Sequence, residues 1–107
     1  MFACPLKAPS PHLKTVDQEE LLQEQKTVPN LLIIDVREQD EWNDGHIEGA
    51  QLIPLKSLEF IISKGEIPKD TPVVCYCASG RRSGIACELF LERGYTNVRN
   101  LKSGFQR

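Results

Sequence analysis

Val73-Val74-Cys75-Tyr76-Cys77-Ala78-Ser79-Gly80-Arg81-Arg82-Ser83 is the stretch on which the reading of this chain turns. Val73–Tyr76 is an apolar run of strand length. Ala78, Ser79 and Gly80 are small and suit a loop. Beyond them Ile85, Ala86, Leu89 and Phe90 recur at helical spacing, and Gly94 marks a helix end. A strand, a tight loop and a helix in that order form half of a parallel βαβ unit.

The same alternation extends in both directions. Leu13–Val16 reads as a short strand. Asp17 with Glu20 three residues later has the spacing of a capping box, and Leu21 and Leu22 give the helix that follows an apolar face. Pro29 and Asn30 mark a turn. Leu31–Ile34, ending at Asp35, is a second strand whose unbroken apolar character suits burial on both sides. Glu38–Asp44 is a short polar helix carrying Trp42 and closed by Gly45. Ala50–Ile53 is a strand stopped by Pro54. Ser57 is expected to cap a helix whose apolar residues are Leu58, Phe60, Ile61 and Ile62, ended by Gly65. Val98–Leu101 is a fifth strand. The pattern predicts an α/β domain with a mostly parallel five-stranded sheet and helices on both faces.

At 107 residues there is room for one domain. A chain of this size buries roughly two-thirds of its unfolded surface, so it needs no disulfide or metal staple. Residues 1–12, with Pro5, Pro9 and Pro11, read as an N-terminal arm, and 13–107 as a single domain. The net charge of −2 argues against a nucleic-acid partner. Met1–Lys14 lacks a secretory pattern and no apolar stretch nears the roughly 20 residues of a membrane span. The expectation is a cytoplasmic protein with no membrane partner. Cys4, Cys75, Cys77 and Cys87 are spaced poorly for bridges, so free thiols are expected, and Cys75-Tyr76-Cys77 lacks a second ligand pair for zinc. No metal and no cofactor are expected.

In a parallel sheet the ligand site lies beyond the strand C-termini. Cys77 falls there, directly before a helix N-terminus whose free N–H groups favour an anion. Ala78, Ser79 and Gly80 let the backbone curl so that several N–H groups meet at one centre. Arg81 and Arg82 add two permanent charges. Each of these favours a thiolate at Cys77, the form that acts as a nucleophile. Cys75, inside a strand, and Cys87, inside a helix, read as buried structural cysteines. Cys4 lies in the arm and is given no role.

Two segments resemble the single-domain rhodanese family. Asp35-Val36-Arg37-Glu38-Gln39-Asp40-Glu41-Trp42, running on to Gly45-His46-Ile47-Glu48-Gly49-Ala50, is similar to the family's D-V-R-E … G-H-I-x-G-A element. Tyr76–Ser83 is similar to its C-x-x-G-x-R-S loop. The resemblance implies a rhodanese-like three-layer sandwich. It implies sulfur transfer through a persulfide on Cys77, loaded from thiosulfate or a persulfide or polysulfide donor. The partners implied are small sulfur-containing anions and a thiol or protein acceptor, with cyanide serving in vitro. Backbone N–H groups of Ala78, Ser79, Gly80, Arg81, Arg82 and Ser83 would hold the substrate. Arg82 matches the family's loop arginine and takes an anion-binding role, whereas a helping charge at Arg81 is a physical inference.

The resemblance leaves two rivals. Phosphatases and arsenate reductases on this fold separate Cys and Arg by five residues, and Cys77 and Arg82 are separated by four. A non-catalytic rhodanese-like module generally lacks the loop cysteine. Asp35, Arg37, Glu41 and His46 read as structural, with Arg37 paired to Asp35 or Glu41, and Trp42 as a core or edge aromatic. Glu48 stands where the family often has Pro. Ser103-Gly104-Phe105 stands near the end in place of a Gly-Gly-aromatic segment, and the family's last helix is expected to be missing, leaving an apolar flank less covered.

Overall fold

The protein is represented by a computed structural model that describes residues 13–105. The expected arm at 1–12, Cys4 within it, and residues 106 and 107 lie outside the described residues. The chain runs β1 (Thr15–Val16), α1 (Gln18–Thr27), β2 (Leu32–Asp35), α2 (Gln39–Asn43), β3 (Gln51–Leu52), α3 (Leu55–Ser63), β4 (Val73–Tyr76), α4 (Arg81–Glu92) and β5 (Val98–Leu101).

The five strands form one sheet in the order β1-β5-β4-β2-β3, and every neighbouring pair is parallel. β4 lies at the centre because its residues are apolar on both faces. Val73 and Cys75 point into a core with Leu58 and Ile62 of α3 and Ala86, Cys87 and Phe90 of α4. Val74 and Tyr76 point the other way, into a core with Leu21 of α1, Ile33 and Leu101. A strand alternates its side chains between faces, so two cores require an unbroken apolar run. The result is the expected three-layer α/β sandwich.

The connections leave β2 toward one edge and β4 toward the other. The crevice between their C-terminal ends is therefore a topological switch point, where such sheets place ligands. Registration of Asp35 with Tyr76 brings the ends of β2 and β4 level.

Asp17 accepts from the Glu20 N–H at 2.7 Å and Glu20 returns the bond to the Asp17 N–H at 2.8 Å, completing the capping box. Three expectations need correction. Leu22 is 54 % exposed and only Leu21 of the pair is buried, because adjacent residues on a helix lie about 100° apart and α1 covers the sheet with a narrow stripe. Phe60 is 67 % exposed, while Leu58 and Ile62, four apart, share the buried face of α3. Ser57 does not cap α3. It lies inside the helix and donates its N–H to the Pro54 carbonyl at 2.8 Å, so Pro54 is the cap. Proline at a helix boundary loses no helical hydrogen bond, which moves the start toward it.

At the end of β2 the Arg37 guanidinium grips the buried Asp35 carboxylate, Nη2 to Oδ2 at 2.8 Å and Nε to Oδ1 at 3.0 Å. Nη2 also donates to the Gly45 carbonyl at 2.7 Å, which ties the end of α2 to the sheet. A buried charge that loses its partner is costly, so Asp35→Ala is expected to destabilise the domain by about 3–5 kcal/mol, read as a lower urea midpoint with an unchanged slope.

Candidate active site

Cys77 follows β4 directly, and the loop after it bends back over its own sulfur. Gly80 makes this possible by adopting φ 94°, a left-handed conformation that disfavours any side chain. The bend aims the Gly80 N–H at Cys77 Sγ, 3.1 Å away, and the first turn of α4 adds the Ser83 N–H at 3.4 Å. The Ser83 hydroxyl lies 3.4 Å from the same sulfur. Cys77 and Ser83 are both buried, beneath the exposed Ala78 and Ser79.

Burial by itself pushes the Cys77 thiol up. Hydrogen bonds from the Ser83 side chain and from the backbone of Ser83, Ser79 and Gly80 outweigh it, and the thiol falls below its ordinary value. Hydrogen-bond donors are the leading causes of the downward shift. Arg82 Nη1 and Nη2 donate to Glu41 Oε1 and Oε2, each at 2.9 Å, so its charge is already matched by a two-pronged pair. Arg81 is exposed and has no ion pair among the described residues. Cys75 is a different kind of cysteine. A hydrogen bond with Cys87 and complete burial push its thiol well up, away from the thiolate form.

Three further residues hold the loop in place. The Phe105 N–H donates to the Cys77 carbonyl at 2.8 Å. Asn100 of β5 donates from Nδ2 to the Gly80 carbonyl at 3.0 Å. Gly104 passes so close that a Cβ there would lie 2.4 Å from the Ala78 oxygen.

This is the geometry of a shared family. The family profile described as the rhodanese-like domain matches residues 17–107. The chain belongs to the rhodanese-like domain family. It is 38 % identical over 89 residues to a protein of Allochromatium vinosum named sulfurtransferase, covering 83 % of this chain and 81 % of that one. It is 42 % identical over 67 residues to the thiosulfate sulfurtransferase PspE of Escherichia coli, covering 63 % of this chain and 64 % of that one. Among solved structures, the human single-domain sulfurtransferase TSTD1 superposes with a TM-score of 0.75 at 26 % identity, covering 85 % of this chain and 90 % of that one.

Within this rhodanese domain Cys77, Gly80 and Ser83 come together, with Ala78 and Ser79 exposed over them and Arg82 paired to Glu41 nearby. Arg37 takes Asp35 as its partner, and Glu41 goes to Arg82 instead. His46 stacks on Trp42, with ring centroids 3.5 Å apart and planes at 5°, and its Nδ1 meets the Trp42 carbonyl. Asn100, Gly104 and Phe105 escaped notice as site residues. Asn100 stands beside Arg99 in the mixed strand Val98-Arg99-Asn100-Leu101, so nothing in the local pattern singles it out.

The Arg82 fork, with the Glu38 N–H, holds the Glu41 carboxyl down to about 2 from an ordinary 4.5. A lowered carboxylate contributes stability that is complete above about pH 4.5 and lost as pH falls toward about 2. Glu41→Gln is expected to remove that part of the acid dependence, measured as urea midpoints across this range. Gly104→Ala forces backbone against backbone and is expected to lower stability by about 1–3 kcal/mol and to return the Cys77 thiol toward its ordinary value, followed by thermal unfolding and thiolate absorbance.

Proposed function

We propose that this protein moves sulfane sulfur from thiosulfate, or a persulfide or polysulfide, to a thiophilic acceptor through a persulfide on Cys77. The observation that carries the reading is the convergence of the Gly80 and Ser83 N–H groups on Cys77 Sγ at the switch point of the sheet. The names of the relatives, sulfurtransferase and thiosulfate sulfurtransferase, support it.

The Cys77 thiolate uses its lone pair to bond the outer sulfur of the donor. The donor's sulfur–sulfur bond breaks, and its electron pair leaves on sulfite or a thiolate. The terminal sulfur of the new persulfide carries the negative charge, which the N–H groups of the loop and of the α4 N-terminus favour. An acceptor thiolate, or cyanide in vitro, then attacks that terminal sulfur and Cys77 returns as thiolate. Once Cys77 is a thiolate, a form its hydrogen bonds favour, the step needs no general base. The Ala78–Ser79 stretch covers the sulfur and has to give way as a donor enters. Arg81, exposed beside the loop and without an ion pair among the described residues, adds positive charge that favours an incoming anion. Arg82 binds the donor anion in competition with Glu41. Three described free thiols suit a reducing compartment such as the cytoplasm.

The same count of four residues between Cys77 and Arg82 disfavours phosphate. Thiosulfate:cyanide transfer is expected with the wild type and absent in Cys77→Ser and Cys77→Ala, while Cys75→Ala keeps it. Mass spectrometry after donor treatment should show one added sulfur on Cys77. Transfer that survives loss of Cys77, or aryl phosphate turnover in place of sulfur transfer, overturns the reading.

A further inference from the structure

We infer that Asn100 is a positioning residue for the sulfur site, and that it competes with the Cys77 thiolate for the single hydroxyl proton of Ser83. The inference rests on the sulfur-transfer reading above and deepens it.

The orientation of the Asn100 amide is determined by its partners. The Gly80 carbonyl can only accept, so the Asn100 NH2 group has to face it, at 3.0 Å. Oδ1 is thereby turned to Ser83 Oγ, 2.5 Å away. Ser83 Oγ is also 3.4 Å from Cys77 Sγ. One hydroxyl proton thus stands between two acceptors whenever Cys77 is a thiolate. Asn100 is nearly buried and Ser83 completely so, which leaves little water to relieve either acceptor.

The competition has a direction in each state of the sulfur. In the thiol, the S–H donates to Ser83 Oγ and the hydroxyl donates to Asn100 Oδ1, so every group is satisfied. In the thiolate, the hydroxyl turns to the sulfur and leaves Oδ1 without a donor, or stays with Oδ1 and leaves the sulfur with one donor fewer. Either way Asn100 disfavours the thiolate. In the persulfide, Cys77 Sγ is the inner, neutral sulfur and a poor acceptor, and the hydroxyl goes back to Asn100. Asn100 therefore keeps the attacking sulfur less solvated and favours the loaded state over the free one.

Other charges near Cys77 do not change when Asn100 is replaced by a neutral residue. Arg82 of α4 interacts with the thiolate but is matched by Glu41 of α2. At the end of β2, Asp35 and Arg37 are paired with each other. Cys75 of β4 has its thiol raised and stays neutral. The Gly80 carbonyl keeps the Gly84 N–H at 3.0 Å once the Asn100 bond is gone.

The test is the titration midpoint of Cys77, read from thiolate ultraviolet absorbance as the difference between each protein and its Cys77→Ser counterpart. Asn100→Leu, close in shape and unable to accept, is expected to lower the midpoint by about one pH unit, a tenfold shift toward thiolate. It is also expected to lower the ratio of loaded to free enzyme about tenfold at a given thiosulfate-to-sulfite ratio. In a Ser83→Ala background the same change should leave the midpoint in place. An unmoved midpoint in Asn100→Leu, or an equal shift with and without Ser83, overturns the inference. If Asn100→Leu does not fold, Asn100→Asp decides. Its carboxylate grips the hydroxyl harder, so the midpoint should rise more with Ser83 present than in Ser83→Ala, and an equal rise in both overturns the inference. Absence of any persulfide on the wild type would sink the sulfur-transfer reading, while the thiol titration would still judge Asn100.

Discussion

A sulfur anion enclosed in protein has to be met by hydrogen-bond donors, and backbone N–H groups can meet it only if the chain folds back on itself within a few residues. Gly80 at φ 94° performs that reversal between β4 and α4. Without it the Gly80 and Ser83 N–H groups would not share a target. Burial works against the thiolate, so the result depends on donors outweighing desolvation. The rest of the site serves to keep those donors aimed.

That support comes from every side of the loop. β5 contributes Asn100 and its continuation contributes Gly104 and Phe105, which press on or bond to Gly80, Ala78 and Cys77. α2 contributes Glu41, which fixes Arg82 at the rim of the loop. β2 contributes the buried Asp35–Arg37 pair, and the Arg37 guanidinium lies over the Phe105 ring, 4.9 Å from its centroid. Tyr76, immediately before Cys77, accepts the Ile47 N–H on its hydroxyl at 3.0 Å, so the segment after α2 is tied to β4 as well. Arg37 and Arg82 are thus each paired with a carboxylate near the site, while the groups that hydrogen-bond the sulfur are dipoles.

Much of this was legible along the chain. The unbroken apolar runs at Leu31–Ile34 and Val73–Tyr76 marked central strands, and the Asp17–Glu20 spacing marked the start of α1. Cys77 stood out because strand end, small-residue loop and helix start coincide on it. Errors fell where local pattern and packing part company. Leu22 and Phe60 are as apolar as their buried neighbours, and only the direction of the sheet decides which of them is covered. Ser57 has the chemistry of a cap, but Pro54 is nearer the strand it leaves.

The sequence by itself determined a parallel α/β domain and its element order and marked Cys77 as the candidate nucleophile, because each of these follows from residues within a few positions of one another. Only the tertiary structure decided that Glu41 belongs to Arg82 rather than to Arg37, and that Asn100 and Phe105 touch the loop. Those partners lie 41, 20 and 28 residues from the groups they contact. Contacts across such separations depend on strand order and register, which local spacing does not encode. A lowered Cys77 thiol was therefore foreseeable in kind, but the donors that lower it, and the residue proposed to compete for one of them, had to be read from the fold.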